Sequence, residues 1–388
     1  MLKNAAVYVG IVLKLLVSVL RSGLARRLRP QASLDRPGRS EAMEYGLARL
    51  FASTVGLALT GPLLSAIVVS HRKGELLGQC LVSVQESLRL IDGPTELVLV
   101  LNEATTEDGR RFAARFANAD VFAEPANIGF SPAVSLGIRR SAGEWIALLN
   151  DDATVEPEAF ARMLAAGISG GDVGSVAAQM RFFDRPRTIN SAGIEVDRLG
   201  VAYDRLLGRP LSASETETVE VFGASGGAAL YRRAMLDDIG GFDESFFAYL
   251  EDVDVAWRAR MRGWRCLYVP SAVVLHHHSA TLGHGSRRKY YLVGRNRVRL
   301  LAKNADAGLL RRYGLRMLAH DLAYVVLVAL RRGTLAHLRG RIAGLREWRR
   351  YRRAGTETRR AIPLARVSGF RAALRRQKAW TNSAPAKR

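Results

Sequence analysis

Apolar positions in this chain fall into short continuous runs that alternate with amphipathic stretches. The run Leu64 to Val69, ending at Ser70, has the β-branched density of a strand buried on both faces, and Leu76 to Leu88 follows with helical spacing. The rhythm then repeats. Glu96 to Leu101 reads as a strand and Asp108 to Ala117 as a helix; Ala119 to Phe122 and Ser131 to Arg140 form the next pair. Trp145 to Leu149 is a fourth strand, with Pro157 to Ala166 as its helix. Such alternation predicts an α/β fold with a parallel, doubly wound sheet. Ligands bind such sheets at the carboxyl ends of the strands, where the fourth strand delivers Asn150-Asp151-Asp152.

The flanks break the rhythm. Ala5 to Leu20 is apolar except for Lys14 and is followed by Arg21, Arg26, Arg27 and Arg29, which predicts an interfacial amphipathic helix ahead of a membrane span. Residues 30–46, with Pro30, Pro37 and Gly38, read as a linker. Leu50 to Ser70 lacks charge throughout, yet Gly61-Pro62 splits it, so its second half is assigned to the first strand. Beyond residue 304, Arg331 to Arg353 and Arg371 to Lys378 carry Leu, Trp and Tyr at helical spacing; Tyr324 to Leu330 is apolar but too short to span a bilayer. Three regions result: 1–60, a membrane-associating segment and linker; 61–304, the α/β domain; 305–388, a basic helical region.

Charge sharpens that division. The net charge is +22, but residues 61–304 carry 28 basic and 29 acidic side chains. The excess lies in residues 1–60 (nine basic, three acidic) and 305–388 (21 basic, four acidic), so the partner is a polyanion met by the flanks. Few aromatics interleave the basic residues and no nucleic-acid motif appears, which favours an anionic membrane surface over nucleic acid. Cys80 and Cys266 fit no zinc or disulfide spacing; both read as core residues in a reducing compartment.

Two acidic clusters carry the candidate chemistry. Asn150-Asp151-Asp152 at a strand end offers carboxylate oxygens to a hard divalent ion, or alternatively an Asx turn capping the next helix. Glu251-Asp252-Val253-Asp254, framed by Phe246, Phe247, Tyr249 and Trp257, suits a helix N-terminus that presents a carboxylate into a cleft. Asp254 can also pair with Arg258 one turn on. Of His276-His277-His278, at most two can face one side of a strand. Gly223-Ala224-Ser225-Gly226-Gly227 lacks the third glycine of a dinucleotide loop and falls late in the domain.

Taken in order, Val68 to Arg72, the run from Asn127-Ile128-Gly129-Phe130 to Asn150-Asp151-Asp152, Gly240 to Glu244, Glu251-Asp252 and Arg295-Asn296 resemble the family-2 glycosyltransferases, especially their rhamnosyltransferase-like branch, across residues 64–304. The resemblance implies a GT-A fold, a Rossmann-like αβα sandwich, and inverting transfer from a nucleotide-diphosphate sugar with Mg²⁺ or Mn²⁺. It implies dTDP-rhamnose or a UDP-sugar as donor and a lipid-linked or polysaccharide acceptor in cell-envelope glycan synthesis; the charge split predicts the cytoplasmic face of the membrane, peripheral or N-terminally anchored. By matching position, Asp252 is the general base, and Asp152 and His276 are metal ligands. Ser70, His71, Asn102, Asn127, Gly129, Asn150 and Asp151 line the donor; Gly226, Gly227, Glu251 and Asp254 face the acceptor. One departure stands out: the family's Asp after the second strand is replaced by Leu101, beside Asn102 and Glu103. A nucleotidyltransferase would combine a similar sheet with acidic ligands, but only His71-Arg72-Lys73-Gly74 echoes its basic glycine loop.

Overall fold

The computed structural model describes residues 61–71, 74–277, 286–354, 362 and 364–367, all within one compact unit. The expected N-terminal helix and linker, His278 and the basic run Arg371 to Lys378 lie outside the described residues.

The first half follows the periodicity. β1 (Leu64–Ser70) is buried along its whole length. α1 (Glu75–Leu88) buries Leu77, Cys80, Leu81, Val84 and Leu88, the single stripe that an i, i+3, i+4, i+7 pattern generates. β2 (Thr95–Asn102) leads to α2 (Thr106–Arg115), which starts at Thr105 because Thr105 and Asp108 exchange capping bonds of 2.9 and 3.1 Å. β3 (Ala119–Glu124), α3 (Phe130–Arg139), β4 (Trp145–Asn150), β5 (Ala153–Val155) and α4 (Ala159–Ile168) complete this half. The order β3-β2-β1-β4 is parallel, with β1 in the middle.

The second half is mixed. β6 (Val173–Phe182) is followed by the short strands β7 (Ile189–Ser191), β8 (Ile194–Val196), β9 (Ala202–Asp204) and β10 (Val219–Val221). β11 (Ala228–Arg232) then inserts antiparallel between β4 and β6. After α5 (Arg233–Ile239) and α6 (Glu251–Arg262), β12 (Arg265–His276) pairs parallel with β6 and extends the sheet. Each face is covered. Val84, Phe112, Phe160 and Met163 from α1, α2 and α4 pack one side; Val134, Met235 and Val255 from α3, α5 and α6 pack the other. The result is an αβα sandwich around a mixed sheet.

α7 (Arg287–Asn304), α8 (Ala307–Arg332), α9 (Ala336–Arg346) and α10 (Trp348–Ala354) follow. Tyr324 to Leu330 proves to be part of one 26-residue helix, long and apolar enough to cross a membrane, and not an isolated short run. The basic stretch from Arg331 is likewise not one helix. Gly333 adopts a left-handed conformation and ends α8, so the chain turns and α9 folds back on α7. Gly294, Gly340 and Gly344 permit that contact, since a Cβ at any of them would collide with facing backbone. Ion pairs from buried arginines fasten the assembly: Arg297 and Arg341 to Asp321, and Arg299 to the half-buried Glu347.

Candidate active site

Asp252 sits in the first turn of α6, and the loop that delivers it is strained. Phe247, Tyr249 and Leu250 all have φ near +70°, although none is glycine. Asn296, wholly buried in α7, holds this loop: its Nδ2 donates to the carbonyls of Phe246, Ala248 and Tyr249 at 2.9, 2.8 and 2.8 Å. Arg295 adds a bond to the Phe246 carbonyl at 3.0 Å. The Asp252 carboxylate accepts from the backbone N–H of Gly226 (3.0 Å) and of Val253 (2.8 Å). Burial raises its pKa above the ordinary carboxylate value. Burial and the neighbouring Asp252 charge push Glu251 up to about 8, and its Oε2 has no hydrogen-bond partner among the described residues.

The second cluster converges on β4 and β12. Their pairing through β5 puts His276 opposite Ala153, and His276 Nε2 lies 3.0 Å from Asp152 Oδ1. His276 Nδ1 meets Asn190 Oδ1 at 3.0 Å. With Nδ1–H given to Asn190, the Nε2 lone pair faces the carboxylate, so two acceptors share one small space. A divalent cation resolves that conflict, and two ligands about 2.1 Å from one octahedral ion stand about 3 Å apart at adjacent vertices. The residues therefore fit a metal. Among the described residues no cluster of three or more such ligands exists, so the remaining positions would fall to donor phosphate and water. Ser70 Oγ donates to Asp151 Oδ2 at 2.6 Å, which fixes Asp151 beside β1.

One peptide unit connects the two clusters. The N–H of Asn150 donates to the carbonyl of Gly227 (3.0 Å), while the N–H of Gly226 holds Asp252. A Cβ on Gly227 would stand 2.7 Å from Met180, so the loop lies directly on the sheet.

Other expected site residues take different parts. Asn102 was expected at the donor, but its amide is used internally: Oδ1 accepts from Ile128 N–H (2.9 Å), and Nδ2 donates to Gly129 O (3.1 Å). It ties the end of β2 to the Asn127–Gly129 loop, where Asn127 Oδ1 accepts from Gly129 N–H at 3.0 Å. Gly129 has φ +98°, and a Cβ there would lie within 2.7 Å of Phe247. His71 stacks its bonds on β2, with Nδ1 3.2 Å from the Asn102 carbonyl and 3.4 Å from Glu103. Asp254, expected at the acceptor, is wholly buried. Burial alone would raise its pKa, but Arg258, Lys303 and Asn304, all within 2.9 Å, hold it at about 2. It is an internal counter-charge with no face left for acceptor. His277 stacks on Phe183 at 3.8 Å.

Sequence reasoning gave no role to three groups beside Asp252. Asp204, at the end of β9, is raised to about 6 by burial, with Asp252 among its neighbours. Lys289, in the first turn of α7, is lowered to about 8 by burial and lies 5.1 Å from the Tyr249 ring. Asn296 was visible only as half of an Arg-Asn pair; a carboxamide in the middle of an apolar helix face was the available signal.

Comparison with known proteins identifies the family and the fold. Residues 62–290, more than half the chain, match the sequence profile of the family described as Glycosyltransferase like family 2. The chain is similar to N-acetylglucosaminyl-diphospho-decaprenol L-rhamnosyltransferase from Mycobacterium tuberculosis, 28% identical over 246 residues, which cover 57% of this chain and 78% of the relative. Poly-beta-1,6-N-acetyl-D-glucosamine synthase from Staphylococcus aureus is 23% identical over 179 residues, covering 45% of this chain and 41% of that one. Among solved structures, GalNAc-T7 with UDP, GalNAc and Mn²⁺ superposes with a TM-score of 0.51 at 17% identity, covering 64% of this chain and 49% of its own.

Proposed function

The chain belongs to Glycosyltransferase like family 2, and on that premise we propose that it transfers a sugar, with inversion, from a nucleotide-diphosphate donor to a lipid-linked or polysaccharide acceptor of the cell envelope. The observation that carries this reading is the tie between the two acidic clusters: the N–H of Gly226 holds Asp252, and one peptide unit on, the carbonyl of Gly227 holds the β4 end that bears Asp152. A base and a phosphate-side anchor at fixed spacing suit a single displacement. Asp252 takes the acceptor hydroxyl's proton while that oxygen bonds to the anomeric carbon. The bond from that carbon to the donor phosphate breaks with its electron pair, which leaves on the nucleoside diphosphate. Bound Mg²⁺ or Mn²⁺ supplies charge neutralisation for that leaving group. Asp152 and His276 would hold it, with Asn190 fixing the imidazole tautomer. Backbone N–H groups on both carboxylate oxygens orient Asp252, and burial makes it a stronger base than a solvated aspartate.

dTDP-rhamnose or a UDP-sugar is the proposed donor, in keeping with the name of the mycobacterial relative. The site of action is the cytoplasmic face of the membrane, supported by the basic flanks and the apolar face of α8.

The test is transfer from a panel of dTDP-, UDP- and GDP-sugars, comparing the unaltered chain with Asp252→Asn and Asp152→Ala. Asp252→Asn should lose about 10²–10⁴-fold in kcat with donor affinity nearly intact. Asp152→Ala should weaken donor binding only when the metal is present. Substantial transfer by Asp252→Asn removes it from the role of base.

A further inference from the structure

Where the α8–α9 turn meets the first turn of α7, the surface forms an open pocket of about 480 Å³. Arg287, Arg288 and Arg339 line it, together with Tyr291, Thr334 and Leu335. None of the three guanidinium groups has a carboxylate within ion-pair distance among the described residues. Their neighbours differ: Arg297, Arg299 and Arg341, on the same helices, are all paired. Three uncompensated guanidinium groups on one small cavity repel one another, and a multiply charged anion removes that repulsion.

Two further features narrow the anion. One wall is the turn that ends α8, a helix whose exposed face is apolar. Leu315, Leu318, Leu322, Val326 and Leu330 fall within about 120° of arc on that helix, and Leu315 and Leu330 are 86% and 81% exposed. Leu335 carries the apolar surface to the cavity edge at 54% exposure. The other wall reaches the catalytic loop, since the Arg288 guanidinium stacks 4.7 Å from the Phe247 ring, five residues before Asp252. The cavity thus has an apolar approach on one side and the base-bearing loop on the other.

We propose that Arg287, Arg288 and Arg339 bind the diphosphate of a prenyl-diphosphate-linked acceptor, with the lipid chain leaving along the exposed face of α8. This rests on the lipid-linked branch of the proposed function. A diphosphate offers enough oxygens for several guanidinium forks, and its lipid explains why apolar surface borders a cationic cavity.

The experiment measures binding of farnesyl diphosphate to the full chain in detergent, with inorganic pyrophosphate, farnesol and phosphatidylglycerol vesicles as parallel probes. Farnesyl diphosphate should bind tighter than pyrophosphate or farnesol. Arg287→Gln/Arg339→Gln should weaken it by about tenfold or more, the loss expected for two charge-assisted contacts. Nucleotide-sugar binding by the same double variant should be unchanged, which shows that it is folded. Equal affinity for pyrophosphate and farnesyl diphosphate overturns the lipid assignment. Undiminished farnesyl diphosphate binding by the double variant overturns the site, as does a variant that loses only vesicle binding. Loss of donor turnover by the unaltered chain would instead strike the glycosyltransferase reading, which the diphosphate measurement does not depend on.

Discussion

Replacing Asn296 by alanine should damage catalysis from a position that touches no substrate. The three carbonyls it serves lie between 2.8 and 2.9 Å from Nδ2. An amide offers two hydrogens, so the net loss is about two bonds of about 1 kcal/mol each, and buried carbonyls left unpaired add to it. The loop also stores strain, since each of Phe247, Tyr249 and Leu250 at positive φ costs on the order of 1–3 kcal/mol. Asn296 offsets part of that strain, and without it the loop relaxes toward ordinary backbone angles. A displacement of Asp252 by about 1 Å is worth about 10²-fold in rate. The expected result is a stability loss of about 2–4 kcal/mol by urea unfolding, together with a fall in kcat at a temperature where the variant remains folded. Donor affinity, set at the β4 end, should hold. The pH–rate profile should also move, because the burial that raises Asp252 and Glu251 depends on the same loop. A variant that loses stability but keeps kcat within about twofold, with an unshifted profile, would refute the argument, because a 1 Å shift of the base cannot be that cheap.

Glu251→Gln tests the sign of a second effect. The folded pKa of Glu251, about 8, lies above its ordinary value of 4.5, so its stabilising contribution is complete below about pH 4.5 and lost as pH rises through 8. The glutamine variant should therefore lose less stability than the unaltered chain between pH 5 and 9 in thermal unfolding, and parallel curves would count against it. Asp254→Asn should cost about 3–5 kcal/mol in chemical denaturation by stranding Arg258 and Lys303, with acceptor KM unchanged; a raised KM in folded protein would return Asp254 to the acceptor. Gly129→Ala puts a Cβ against Phe247 at an unfavourable φ, so both thermal stability and transfer should fall, and wild-type behaviour in both would show that the loop is softer than its packing implies.

The parallel half of the sheet was legible because β1, β2 and β4 are buried on both faces, and only continuous apolar runs survive there. The other half was not. β7 to β10 are three residues each, below the length at which alternation can be told from chance, and β11 reverses direction without a compositional mark. Within the candidate site, Asp152, Asp252 and His276 stood out because carboxylates and imidazoles at strand and helix ends are conspicuous. The strain at Phe247, Tyr249 and Leu250 was invisible, since no glycine or asparagine announced positive φ there. Asn102 was hard to read for a related reason: a carboxamide bonds equally well to a nucleotide or to its own backbone, and only the fold shows that Gly129 and Ile128 are within reach.

The tie formed by Gly226 and Gly227 has a consequence for how this chain can diverge. One peptide unit sets the gap between Asp252, the proposed base, and the β4 end that bears Asp152, much as a jig fixes two tools at a working distance. Gly227 cannot take a side chain without pressing on Met180, whereas a Cβ on Gly226 would meet Asp252 and Phe130 only at ordinary van der Waals distance. A substitution at Gly227 would therefore disturb both acidic clusters at once, whereas position 226 leaves room for variation.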